Sequence, residues 1–336
     1  MFKTFFAAAT MSAVLLTSSM VQAKDDAEAK TINFGIISTE SSANLKPVWK
    51  PFLKAMEETT GIKIKAFFAS DYAGVIEGMR FNKVQVAWFG NKSAMEALNR
   101  SSGEIFAQTV DVEGNPGYWS LILAHKDSPY NNLDDVLKCD GKLNFGIGDP
   151  NSTSGFLVPT TYIFAKRGID MKKCFKTVRH ANHEANAMAV ANKLVDAAAN
   201  NTENMRRLQK TAPKAFANIK ILWKSPLIPS DPLVWRKDLD KTAKAKIHSF
   251  IMGYGRFGTP KEVASARKIL AELGWSPFRP SSDAQIFPIR ILAASKKINK
   301  IRNDKKLAEA DKKAQIAKLE AVIAKYRKLS DEVPNS

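Results

Sequence analysis

Leu143-Asn144-Phe145-Gly146-Ile147-Gly148-Asp149-Pro150-Asn151-Ser152-Thr153-Ser154-Gly155 is the stretch on which the reading of the chain turns. It opens with a mostly apolar run, continues as a Gly-Asp-Pro-Asn turn, and leads into an apolar-rich run over 156–165. That pattern predicts a strand, a tight turn, and a helix whose first turn carries three consecutive hydroxyl residues. N–H groups in a first helical turn lack intrahelical partners and lie at the positive end of the helix dipole, so they attract an anion. Ser152, Thr153 and Ser154 add hydroxyl donors at the same point, and Gly155 permits close backbone approach. A single such residue is ordinarily a helix cap. Three in a row favour a seat for a tetrahedral oxyanion.

Outward from this stretch, short apolar runs alternate with amphipathic ones. Strands are expected over 31–38, 62–69, 84–89 and 105–110, separated by helices over 44–59, 71–81 and 92–99. A strand over 118–125 leads to a second series, with strands over 143–147, 175–178, 194–199 and 219–223 and helices over 156–166, 184–193 and 202–210. Such alternation indicates parallel βαβ units. Pro226, Pro229 and Pro232 then punctuate the chain, a short strand follows over 233–235, and everything later reads as helix: 241–253, 260–273, 283–294 and 305–329.

The fold class expected is therefore α/β and two-lobed. Lobe 1 takes 24–125 and 232–300, lobe 2 takes 126–231, the crossovers fall near Lys126 and Asp231, and 301–336 form a helical C-terminal extension. In that extension Ile316, Leu319, Ile323, Tyr326 and Leu329 make a narrow apolar seam suited to another helix. Packing on the chain's own body and pairing in a homodimer both satisfy it.

Residues 1–23 read as a secretory signal peptide: Lys3, an apolar run over 5–16, and Val21-Gln22-Ala23 before the charged Lys24-Asp25-Asp26. No cysteine near the cleavage point offers a lipid anchor, and no later apolar run is long enough to span a bilayer. A soluble periplasmic product is expected. The formal charge of the chain is +18. Nucleic acid is the reflex partner of so basic a chain, but export argues against it, and an anionic small molecule or surface remains. Cys139 and Cys174 can join as a disulfide in an oxidising compartment, or stay as buried thiols.

Other candidate residues sit where strands give way to helices. Asp71-Tyr72-Ala73-Gly74 and Trp88-Phe89-Gly90-Asn91 occupy the carboxyl ends of expected strands, where open α/β sheets bind ligands. Tyr118 begins an interlobe strand. His180 and His183, followed by Glu184, suggest a metal pair, but no third ligand is adjacent in sequence. His183 is better used as a single donor to an anion. Glu203 and Asp231 read first as a helix-start acid and a turn residue. If both face the anion seat, a cation carried by the ligand must separate their charges from the anion's. Ser152, His183 and Asp231 occur in the order of one hydrolase triad, but the serine lacks the flanking glycines of a nucleophile elbow.

Residues 33–40 (NFGIISTE), 67–74 (FFASDYAG), 117–120 (GYWS), 148–159 and 223–237 (WKSPLIPSDPLVWRK) together resemble the periplasmic phosphonate-binding proteins of phosphonate ABC importers. The resemblance implies a two-lobed type II periplasmic binding fold that closes like a hinge, with no enzymatic activity, cofactor or metal. It places a phosphonate on Ser152, Thr153 and Ser154, with Tyr72, Tyr118 and His183 completing the contacts. It places the ammonium of 2-aminoethylphosphonate on Glu203 and Asp231. His183 is preferred over His180 because Glu184 follows it. Phe89 stands where the family has a tyrosine, at the pocket edge, and the C-terminal helix is associated with dimerisation. The expected function is capture of alkylphosphonates, preferably 2-aminoethylphosphonate, for an inner-membrane permease. The alternatives are a receptor for phosphate, phosphite or phosphate esters, then a metal-binding receptor or a hydrolase.

Overall fold

The computed structural model describes Met1 and residues 31–332, so the expected signal peptide lies, apart from Met1, outside the described residues. The chain starts with β1 (Ile32–Ile36), α1 (Ser42–Thr60), β2 (Ile64–Phe68), α2 (Tyr72–Arg80), β3 (Val86–Trp88), α3 (Asn91–Arg100) and β4 (Gly103–Asp111). It crosses through β5 (Gly117–Tyr118) into β6 (Ser120–His125), α4 (Leu133–Val136) and β7 (Asn144–Ile147). A helix of unusually wide turns over 153–165 follows, then α5 (Met171–Cys174), β8 (Thr177–His180), α6 (His183–Ala191), β9 (Ala197–Asn201), α7 (Thr202–Thr211), α8 (Pro213–Phe216) and β10 (Ile219–Lys224). The return runs through β11 (Ile228–Pro229), β12 (Pro232–Arg236), α9 (Lys241–Gly253), α10 (Pro260–Leu273) and β13 (Trp275–Pro280). A 3-10 turn, α11 (Phe287–Arg302) and α12 (Glu309–Asp331) complete it.

These strands make two main sheets. The first has the order β13-β4-β12-β3-β1-β2, parallel where β1 meets β2 and β3, antiparallel where β12 and β13 join. The second has the order β10-β6-β9-β7-β8, parallel from β9 to β8 and antiparallel at β6 and β10. Parallel strands need crossover helices, which cover both faces and leave the strand ends as ligand sites. Each sheet has its own apolar interior. Trp49, Phe34, Trp88 and Trp275 pack edge and face in the first, and Phe145 stacks on Phe175 at 4.6 Å in the second. Pro47 and Pro51 interrupt hydrogen bonding inside α1, and burial of Leu45, Trp49, Phe52 and Met56 on the same helix outweighs that loss.

The two chain crossings pair as a short antiparallel ribbon, Gly117 opposite Pro229 and Tyr118 opposite Ile228. A Cβ on Gly117 would lie 2.0 Å from the Ile228 carbonyl oxygen, so only glycine lets the two crossings touch.

Four expectations need correction. Ser120–His125 pairs with β9 and β10, so the chain has entered the second sheet by Ser120 and crosses at 117–119, not near Lys126. The region after 235 is not all helix, because β13 adds an edge strand beside β4. The strand expected over 194–199 runs Ala197–Asn201, with Leu194 exposed in the preceding turn. Phe89 is wholly buried in the first core and does not line the cleft, so no pocket-edge role falls to it.

The seam of α12 lies half-buried along α11, where Phe287 meets Tyr326 at 5.2 Å between ring centroids. Among the described residues no helix is long and apolar enough to cross a membrane.

Cys139 and Cys174 form a disulfide across 35 residues. Closing a loop of that size removes about 4 kcal/mol of chain entropy from the unfolded state. The Cys139→Ser/Cys174→Ser double variant should therefore unfold at lower urea concentration, its stability reduced by up to about 4 kcal/mol. An unchanged midpoint would show that the bridge constrains nothing.

Candidate functional site

Gly148 directly follows β7 and donates its N–H to the Gly155 carbonyl at 2.8 Å, folding the turn back on the helix that follows. A Cβ on Gly148 would come within 2.6 Å of the Gly155 Cα, so the two glycines make this approach possible. Ser152 is the N-cap, its Oγ accepting from Gly155 N at 2.9 Å. The helix that starts here is bonded in wide π-type turns, Leu157 N to Ser152 O at 3.1 Å, a form enriched at functional sites.

All eight residues singled out from the sequence line one cleft between the two sheets: Tyr72, Tyr118, Ser152, Thr153, Ser154, His183, Glu203 and Asp231. Their hydroxyls are set in one sense. Ser152 Oγ accepts from Gly155 N, Thr153 Oγ1 from Lys92 N at 2.9 Å, and Ser154 Oγ from Asn201 Nδ2 at 3.0 Å. With an acceptor site filled on each oxygen, each O–H is left to donate. His183 Nε2 lies 3.4 Å from Ser152 Oγ and 3.5 Å from Ser154 Oγ. His180 is elsewhere, exposed, with its Nδ1 2.9 Å from the Gly148 carbonyl.

The acids face the same space. Asp231 is buried and accepts from Tyr118 Oη at 2.9 Å. Burial, then the charge of Glu203, pushes its carboxyl well above the usual range. Burial raises Glu203 to about 7, with Arg207 opposing the rise. Neither acid joins an ion pair among the described residues, because the nearby guanidiniums are engaged: Arg207 with Glu40 at 2.7 Å, Arg206 with Asp111 at 2.7 Å and Glu113 at 3.0 Å. Burial first, then Arg207, lowers His183 to about 4, so its ring is neutral at pH 7 in this state. Tyr72 and Tyr118 are raised by burial and then by Asp231, and stay protonated.

Contacts across the cleft hold the lobes together. Besides the two arginine pairs, Tyr72 N donates to Asp149 Oδ2 at 3.2 Å and Ser41 N to Glu184 Oε2 at 3.0 Å. The Lys92 N bond to Thr153 joins the first helix wall directly to the anion seat.

Other chemistries fit poorly. Asp231 bonds Tyr118, and His183 Nδ1 has no partner among the described residues, so Ser152, His183 and Asp231 do not form a triad. Among the described residues no three His, Cys, Asp or Glu side chains cluster to hold a metal ion.

A family profile described as the periplasmic substrate-binding protein of phosphonate ABC transporters matches residues 34–286. The chain belongs to this family. It is 52% identical over 316 residues to the phosphonates-binding periplasmic protein of Escherichia coli K12, spanning 94% of this chain and 91% of that one. It superposes with a TM-score of 0.87 and 52% identity on the binding component of a phosphonate ABC transporter from Pseudomonas aeruginosa, covering 90% of this chain and 99% of the other. A Prochlorococcus marinus protein solved with methylphosphonate shares the two-lobed fold at TM-score 0.69 and 22% identity, covering 81% of this chain and 99% of that one. These are binding proteins of transporters, not enzymes.

The cleft also contains Trp88 and Gly90, from the second strand-to-helix junction singled out in the sequence, and Thr39, Glu40, Asn201, Asn204, Arg207 and Trp275, to which the sequence reading assigned no role. One signal was available for Arg207. It lies four residues after Glu203 on α7, and that spacing puts both on one helical face. Glu40 has no such neighbour in sequence, and its partner is 167 positions away.

The Glu40–Arg207 pair touches both lobes, so breaking it should loosen closure for every ligand alike. Arg207→Ala is expected to weaken methylphosphonate and 2-aminoethylphosphonate by a similar factor, about a hundredfold or more, since removing one partner of a buried pair costs about 3–5 kcal/mol. Parallel calorimetric titrations measure this. A loss confined to the amino compound would assign Arg207 to the ligand's amino end instead.

Proposed function

We propose that this cleft captures 2-aminoethylphosphonate and delivers it, in the closed form, to an inner-membrane ABC permease. The observation that carries the reading is the pairing of a hydroxyl-rich helix start with two acids that form no ion pair among the described residues. The hydroxyls of Ser152, Thr153 and Ser154, with the helix-start amides, receive the phosphonate oxygens, and Tyr72, Tyr118 and His183 close around them. Glu203 and Asp231 receive the ammonium at the other end. Hydrogen bonds to charged groups contribute roughly 1.5 to 3 kcal/mol each, so several exceed the roughly 8 kcal/mol of a micromolar complex even after the costs of association. Inorganic phosphate has no carbon arm and leaves both acids unpaired. The seam of α12 is in keeping with a homodimer, in which part of that helix would pair with its counterpart.

Two outcomes follow. Glu203→Gln should weaken 2-aminoethylphosphonate at least about tenfold more than methylphosphonate, because a charge-assisted bond is lost for the first ligand only. Equal losses would remove the ammonium role. The pH dependence has a definite sign. Glu203 is raised to about 7 by burial, so between about pH 4.5 and 7 the folded protein holds a proton that the unfolded chain has lost, and ligand-free stability falls as pH rises through that window. An ammonium displaces that proton. Titrating 2-aminoethylphosphonate near pH 6 in buffers of different ionisation enthalpy should show proton release that Glu203→Gln diminishes, and buffer-independent heats in both proteins would contradict it.

A further inference from the structure

The three hydroxyls of the anion seat are each held by an amide donor. For Ser152 and Thr153 the donor is a main-chain N–H, from Gly155 and Lys92. For Ser154 it is a side chain, Asn201 Nδ2, at 3.0 Å. The orientation of that side chain is settled by a second bond. Asn201 is the N-cap of α7, and its Oδ1 accepts from Asn204 N at 2.7 Å. The oxygen of the amide is thereby committed to the helix, and the NH2 group must point at Ser154 and, 3.3 Å away, at His183 Nε2. Asn201 is buried, and its neighbour Asn200 donates to the His183 carbonyl at 2.8 Å, fixing that residue's backbone as well.

We infer that Asn201 is a positioning residue of the anion seat, whose amide commits the Ser154 hydroxyl to donate into the cleft and holds the lone pair of His183 on Nε2. The reasoning is a count of donors and acceptors. Ser154 Oγ accepts from Asn201, so its own hydrogen remains to be donated, to His183 Nε2 at 3.5 Å or to an anion's oxygen when one is bound. An N–H facing His183 Nε2 requires a lone pair there, which puts the ring proton on Nδ1, where no partner opposes it among the described residues. His183 then serves an incoming anion as a donor only once its proton moves to Nε2 or a second proton arrives. Helix capping alone explains Asn201 Oδ1 and leaves its NH2 contacts without a role.

This inference rests on the reading of the cleft as a phosphonate site, and the test separates the two. Asn201→Ser keeps an N-capping oxygen and offers no amide, so α7 should stay formed and the far-ultraviolet circular dichroism spectrum should match the wild type's. Its Kd for methylphosphonate and for 2-aminoethylphosphonate should each rise about tenfold, the equivalent of one hydrogen bond to an anion. Ser154→Ala should lose a similar factor, and the double variant should be no weaker than the weaker single, because the two act as one unit. Nitrogen NMR of the His183 imidazole in ligand-free protein gives a readout that capping does not move. The wild type should carry its proton on Nδ1, and Asn201→Ser should shift population to Nε2. Wild-type affinity in Asn201→Ser, additive losses in the double variant, or an unchanged tautomer overturns the assignment. Should the wild type bind neither phosphonate, the functional reading fails while the imidazole spectrum still decides the role of Asn201.

Discussion

Two carboxyl groups, Glu203 and Asp231, share one cleft with the helix start that carries Ser152, Thr153 and Ser154, and the proposed function depends on that juxtaposition. Burial makes both acids reluctant to ionise, and each raises the cost of charging the other when both are charged. Arg207 and Arg206 offset this only in part for Glu203, since their guanidiniums are paired with Glu40, Asp111 and Glu113. On the proposed reading, a zwitterion with an anion at one end and an ammonium at the other would satisfy both halves of the cleft, and a simple anion one. Discrimination would then come from what is left unpaired, which is how a buried polar site rejects a ligand lacking the matching group.

Lys92 N comes from the wall of the first sheet and Thr153 from the helix start beside the second, so their bond ties the two lobes together at the cleft. The ribbon of Gly117–Tyr118 with Ile228–Pro229 lies between the sheets and carries Tyr118, which bonds Asp231 just past the second crossing. Lobe rotation about such crossings moves donors from both sides onto one ligand. The glycine at 117 allows the crossings to lie together, and its substitution would separate them.

Much of this was legible in the sequence for a physical reason. The donors of the seat are consecutive residues at a strand–turn–helix junction, so local chemistry announces them. Tyr72, Glu203 and Asp231 also lie at ends of strands or crossings, where topology puts ligands. The edge strand Trp275–Pro280 was not legible, because its two prolines argue against a strand, and only an edge position beside β4 tolerates them. The placement of Ser120–His125 escaped because an apolar strand does not declare which sheet it joins. Asn201 and Glu40 escaped because their roles depend on partners distant in sequence, and an asparagine before a helix reads first as a cap.

Parallel calorimetric titration of the ligand-free protein with 2-aminoethylphosphonate, methylphosphonate and inorganic phosphate tests the two-ended cleft most directly. The expected order is the amino compound tightest, methylphosphonate next and phosphate weakest, because only the first pairs both acids. Phosphate binding as tightly as the amino compound would mean that the helix start is a general oxyanion seat and that Glu203 and Asp231 do not face the ligand.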